Sequence, residues 1–143
     1  MSLTHYWQRP TELEEHPFAG AVRDIDCFIR ECGIKLAGFE GLGEVIVSTD
    51  RIVFNGAAPK CCEPFEVARV EFDRRGRPTV YSYCKTQGLP YDLAVKAALI
   101  IFNHYFKDQF SVSSDCHDQD WEKARQAVHS VLGYGNEFKL NVE

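Results

Sequence analysis

No uninterrupted apolar run in this sequence approaches the roughly 20 residues that a membrane-spanning helix needs. The longest, Ala97 to Phe102, is a fraction of that length. The opening residues, Met1-Ser2-Leu3-Thr4-His5-Tyr6-Trp7, place no charged segment ahead of an apolar one, so no secretory leader is expected. Cysteines are present, but none falls in a C-x2-C pair: Cys27 and Cys32 lie five apart, Cys61 and Cys62 are adjacent, and Cys84 and Cys116 stand alone. This spacing lacks the ligand rhythm of a zinc site. Without a leader, the thiols are expected to be reduced and the protein cytoplasmic. Gly38, Gly41 and Gly43 do not form G-x-G-x-x-G and lead into a strand pattern, so dinucleotide binding has no signature here. A G-x-S-x-G elbow, an H-E-x-x-H helix and an EF-hand loop are also missing. Common hydrolases, zinc proteases and calcium sites thereby lose their usual marks. No cofactor and no metal is expected.

What is there is the composition of an ordinary globular domain. A chain of 143 residues, 45% hydrophobic and 26% charged, can bury a core without staples and is expected to form one domain. The formal charge of -5 favours solubility. It argues against nucleic-acid binding by the whole molecule, though a local basic patch stays open. Residues 1–17 are polar with two isolated aromatics, and Thr11 with Glu14 has capping-box spacing; the segment reads as a docked arm.

The periodicity predicts a first helix from about Phe18 to Cys32, stopped by Gly33. Val22, Ile25, Phe28, Ile29 and Cys32 share its apolar arc, with Cys27 on the opposite side. The period then changes to two. Glu44–Ser48 with Arg51–Phe54 reads as one hairpin, and Phe65–Phe72 with Thr79–Thr86 as a second, turned through Asp73–Pro78. A second helix, from near Pro90 to about Asp108, is apolar around most of its girth. Asp92, Lys96, Asn103 and Lys107 form its one polar stripe, expected to face water. A third helix follows Asp118 and ends at Gly133, with His129 outward. Phe138, Leu140 and Val142 alternate as a last short strand. The expected class is α+β: an antiparallel sheet of about four strands, in two consecutive hairpins, after an N-terminal helix and before two helices on one face.

Three groups of residues are candidates for chemistry. Cys116-His117, in Ser113-Ser114-Asp115-Cys116-His117-Asp118, lie at a helix start, where the dipole favours thiolate. Serines and aspartates before a helix are also what capping alone selects. His104 and Asp108 are four apart on one helix, so the carboxylate can orient the imidazole, and a thiol from Cys84 or Cys116 would complete a nucleophile–base–orienter set. A histidine satisfied by its own helix is the plainer reading. Arg74, Arg75 and Arg77 crowd one turn, followed by Tyr81 and Tyr83 on the next strand. Together they could grip phosphate and stack bases, although charges at a loop tip are ordinarily just solvated. The element order resembles that of double-stranded-RNA-binding domains. Yet Leu89-Pro90-Tyr91-Asp92 is apolar and acidic where that family places lysines, so no residue is carried over.

With no convergent polar signature, the leading expectation is a non-catalytic interaction or accessory protein that acts through a surface, on another protein or on a second copy of itself. Tyr6, Trp7, Tyr81 and Tyr83 sit in segments without a clear buried period and are the candidate interface anchors. The alternatives are a thiol/histidine enzyme built on His104, Asp108 and Cys84 or Cys116, and phosphate or nucleic-acid binding at Arg74, Arg75 and Arg77.

Overall fold

The apolar girth of the second helix decides the architecture, because such a rod must be covered on most sides. A computed structural model describes residues 3–141. Its elements are β1 (Thr4–Pro10), α1 (Glu15–Cys32), β2 (Leu36–Ala37), β3 (Ile46–Val47), β4 (Arg51–Gly56), β5 (Phe65–Ala68), β6 (Thr79–Lys85), α2 (Asp92–Phe106), β7 (Ser111–Ser114) and α3 (Glu122–Leu132). The class is α+β, with strands between an N-terminal helix and two later ones. Ala94 to Phe102 of α2 are all buried. They join Phe18, Ile25 and Phe28 of α1, Ala124 and Val128 of α3, and residues from both sheets in one continuous core. The first and last helices each end at a glycine, Gly33 (φ 68°) and Gly133 (φ 83°). Each takes the left-handed turn that a side chain would resist.

The strands form two antiparallel sheets, one ordered β6-β1-β7 and one in which β4 pairs with β2, β3 and β5. The first expected hairpin is present, with Ile46 opposite Val53 and Val47 opposite Ile52. The second is not. β5 pairs with β4, Phe65 opposite Phe54, and β6 pairs with β1, Tyr83 opposite Tyr6. Each strand found a partner that buries its apolar side better than its sequence neighbour does. Phe65 and Val67 extend the fully buried row Ile52, Val53 and Phe54, while β6 is taken by a strand from the N-terminus.

That N-terminal strand is the largest departure from the sequence pattern. The segment expected as a docked arm is the central strand of its sheet. Its inward side chains are His5, Trp7 and Arg9, all buried, so apolar alternation is absent even though the strand's two-residue period is intact. Arg9 replaces an apolar contact with polar ones. Its guanidinium donates to the carbonyls of Ala68 and, at 2.8 Å, of Arg69, and pairs with Glu71 at 3.2 Å. This ties β1 to the end of β5 and thus one sheet to the other.

Three smaller expectations also change. The stripe on α2 is only partly wet. Asn103 is half-buried and Lys107 exposed, but Asp92 and Lys96 are buried, the lysine stem lying along apolar surface with its ammonium on Asp92 at 3.1 Å. The tail adds no strand among the described residues: Phe138 is buried and Asn141 N–H donates to the Val112 carbonyl at 2.7 Å, while Val142 lies outside them. Cys32 is half-buried rather than in the core, and Cys27 is exposed as its helix face requires. No helix among the described residues is long and apolar enough to cross a membrane.

Candidate functional site

The outer face of sheet β6-β1-β7 carries the candidate anchors. Cross-strand neighbours put Tyr83, Tyr6 and Ser113 in one row and Tyr81, Gln8 and Ser111 in the next. Tyr81 and Tyr83 are 66% and 63% exposed, and Tyr6 is 36% exposed, its hydroxyl donating to Asp115 at 3.1 Å. Phe72, at 82% exposure, is the most open large apolar side chain among the described residues. Trp7 leaves this group, since it points inward and packs on Phe65 with ring centroids 5.2 Å apart. Its buried indole N–H has no hydrogen-bond partner.

At the turn before β6 the three arginines are exposed. Asp73 organises the turn: its carboxylate accepts from the amides of Arg75 and Arg77 and from the Arg77 guanidinium at 3.2 Å. The Arg77 hydrogen bonds hold the Asp73 carboxyl down at about 2. One of the three positive charges is therefore already matched, and Arg74 and Arg75 make no ion pair among the described residues.

His104 and Asp108 share a cavity of about 210 Å³ with Lys107 and Glu137. No cysteine lines it. His104 stacks on Tyr134 at 3.6 Å between centroids, its Nδ1 is buried without a partner, and burial and the nearby Lys107 keep its pKa low. Cys84 is fully buried on the inner side of β6, its thiol donating to the Glu63 carbonyl at 3.4 Å. Burial pushes its pKa up, opposite to what a nucleophile needs. Cys116 is half-buried and its pKa is also raised, mainly by burial. His117 caps a short 3-10 turn over Asp118–Trp121 and donates its amide to Asp120 at 3.0 Å. His104 and Asp108 thus line one cavity, but α2 ends at Phe106 before reaching Asp108 and no hydrogen bond joins the two among the described residues, and both thiols lie elsewhere.

A polar constellation that the sequence did not announce lies beneath the sheet. His5 bridges Ser114 Oγ through Nδ1 at 2.7 Å and Asp92 Oδ1 through Nε2 at 2.6 Å. The Thr86 hydroxyl donates to the same Asp92 oxygen at 2.5 Å. Lys96 holds the other carboxylate oxygen and donates to the Asp120 carbonyl at 3.0 Å. Burial alone would raise the Asp92 carboxyl, but the hydrogen bond and charge of His5, with Thr86 and Lys96, bring it to about 2. Serine, imidazole and carboxylate in line have the connectivity of a general-base relay. Here the imidazole has no exposed surface and the Trp121 edge closes on it at 5.1 Å. Ser114 Oγ also accepts the Cys116 amide at 3.0 Å. The arrangement locks the first turn of α2 to β1 and β7. Only the i,i+4 spacing of Asp92 and Lys96 hinted at it; Thr86 is six residues from Asp92, outside any helical spacing, and His5 and Ser114 are remote in the chain.

Among the described residues no three histidine, cysteine, aspartate or glutamate side chains stand close enough to hold a metal ion. No family model, no curated protein and no solved structure matches this chain, so the tyrosine-bearing sheet must be judged on its own geometry.

Proposed function

We propose that this protein is a non-catalytic binding protein whose working surface is the outer face of β6-β1-β7. One observation carries the reading: Tyr6, Tyr81 and Tyr83 stand together on the solvent-facing side of one sheet. Tyrosines are amphipathic and lose little rotamer freedom on docking, which suits them to anchoring a partner. The residues with catalytic potential are less well placed, since the imidazole of His5 is sealed and the thiol of Cys84 is held protonated by burial.

The test is site-specific photo-crosslinking. A benzophenone amino acid at Tyr81 or Tyr83 is expected to give a discrete adduct, lost when the other tyrosine is changed to Ala. The same probe at exposed Lys123 on α3 is expected to give none. Adducts of equal yield from all three positions, or none from the sheet, would overturn the assignment.

A second reading has its own support, because the exposed Arg77 precedes the exposed Tyr81 by four residues at the start of β6. Aromatic faces beside guanidinium groups suit a single strand of nucleic acid. That reading requires binding of an oligonucleotide that weakens steeply with rising salt. Binding indifferent to salt, or unchanged in the Arg74→Ala/Arg75→Ala variant, removes it.

A further inference from the structure

We propose that the cleft between β5 and β6 receives an extended, basic segment of a partner polypeptide, which enters as an added strand and bridges the two sheets. The idea rests on the reading of the adjoining sheet as a binding surface and names the partner's chemistry.

Both strands have one unused edge. Among the described residues β5 pairs only with β4, and β6 only with β1. The Ala68 amide donates to Glu71 at 2.8 Å and its carbonyl accepts from Arg9, so the backbone of Ala68 turns away from β4. By the alternation of an antiparallel ladder, Glu66 turns the same way. On the other wall, Glu63 N–H donates to the Lys85 carbonyl at 3.1 Å and the Lys85 amide donates to Glu63 Oε1 at 2.8 Å. Lys85 therefore turns away from β1, and by the same alternation so do Tyr83 and Tyr81.

The cleft is thus closed at one end by Glu63 with Lys85 and at the other by Arg9 with Glu71. Between them, the amides and carbonyls of Glu66, Tyr81 and Tyr83 face inward, and no backbone group of the described residues bonds them on that side. The space is about 540 Å³ and is lined by Trp7, Val80 and Ser82. Open strand edges are templates for another strand. Because the closed ends join the start of β5 to the end of β6, the two walls run antiparallel. A guest would be antiparallel to one and parallel to the other, and about four residues at roughly 3.3 Å each would fill the length of β5.

Charge selects the guest. Glu66 lines the cleft and the chain carries a net -5, whereas Glu71 is already matched by Arg9. Arg51 meets Glu66 only at 3.5 Å, with both side chains more than 40% exposed, an ion pair weak enough to be exchanged. A lysine or arginine on the guest fits between that carboxylate and the exposed face of Tyr83.

The probe is a display library of random dodecapeptides selected on the full chain, with the recovered peptides synthesised. Expected are peptides with basic residues at alternate positions that bind at least tenfold more weakly to Glu66→Pro. This change removes an amide that no ladder bond uses. Methylation of alternate peptide amides is expected to abolish binding. In the unaltered protein, hydrogen exchange at the Glu66, Tyr81 and Tyr83 amides is expected to slow when peptide is bound, a readout that does not depend on the variant folding. Failure to recover such peptides, protection confined to other segments, or protection arising from dimerisation of the chain alone would overturn the proposal. If exchange is unaffected while crosslinks at Tyr81 persist, strand entry fails and the sheet face survives; if the crosslinks vanish as well, both fall.

Discussion

Asp92 couples its own charge to folding, because its ligands exist only in the native state. Its folded pKa, about 2, lies below the value of about 3.9 for an unfolded aspartate, so the unfolded chain takes up the proton first. The resulting stabilisation is complete above about pH 4 and is lost as pH falls through about 2, an effect of about 2 kcal/mol. In Asp92→Asn this stretch of the stability–pH curve is expected to flatten. At neutral pH the variant is expected to be weaker by about 3 kcal/mol, since buried Lys96 is left without its counter-charge. Urea unfolding at a series of pH values measures both, and an unaltered acid slope would assign the acid sensitivity to other carboxylates. Thiols give a second test at this scale. Cys27 is exposed and Cys84 is enclosed with its pKa raised, so iodoacetamide in native buffer is expected to modify Cys27 first and Cys84 only after unfolding. Rapid loss of Cys84 with the fold intact would reopen thiol chemistry. That His104 and Asp108 line one cavity follows from their closeness in the chain, although α2 ends at Phe106 and does not present them as an i,i+4 pair, whereas the His5 network was not legible. Its members meet only after β1, α2 and β7 have packed, and no local spacing encodes that.

Among elements, the helices and the β3-β4 hairpin could be read directly, since periodicity, the glycine stops and a short turn act over neighbouring residues, although Asp118, expected to cap the third helix, opens a 3-10 turn and α3 starts at Glu122. β1 could not, because two of its three inward positions are His5 and Arg9, whose polar atoms are satisfied by distant partners. The expected β5-β6 hairpin failed for a related reason: ladder partners are chosen by shared burial, and β1 and β4 offered more of it than the intervening turn did. Arg9 is then the element-level joint, with its fork on Ala68, Arg69 and Glu71. Lysine has the charge without the fork. Arg9→Lys is expected to cost about 3 kcal/mol, because carbonyls and a carboxylate that are now shielded lose their donors. The check is the shift in urea midpoint at constant slope; a change below about 0.5 kcal/mol, the scale of a surface substitution, would show that the sheets are held together by apolar packing alone.

For the molecule as a whole, the proposed cleft is useful only if its two walls belong to one cooperative unit. The core argues that they do, since Trp7 and Phe65 at the junction of the sheets belong to the same cluster as Leu99, Ile100 and Trp121 at the helical layer. The two tryptophans therefore report from opposite regions of one interior. In Trp7→Phe only Trp121 emits, and in Trp121→Phe only Trp7. Within each variant the fluorescence transition is expected to coincide with loss of helix and sheet by far-ultraviolet circular dichroism, although the midpoints of the two variants will differ. Coincident transitions mean that β5 and β6 keep their spacing until the fold is lost, which gives an incoming strand rigid edges to meet. An earlier transition at Trp7 would mean that the sheets separate while the helices persist. The cleft would then be a hinge, and strand entry would have to bear the cost of holding it closed.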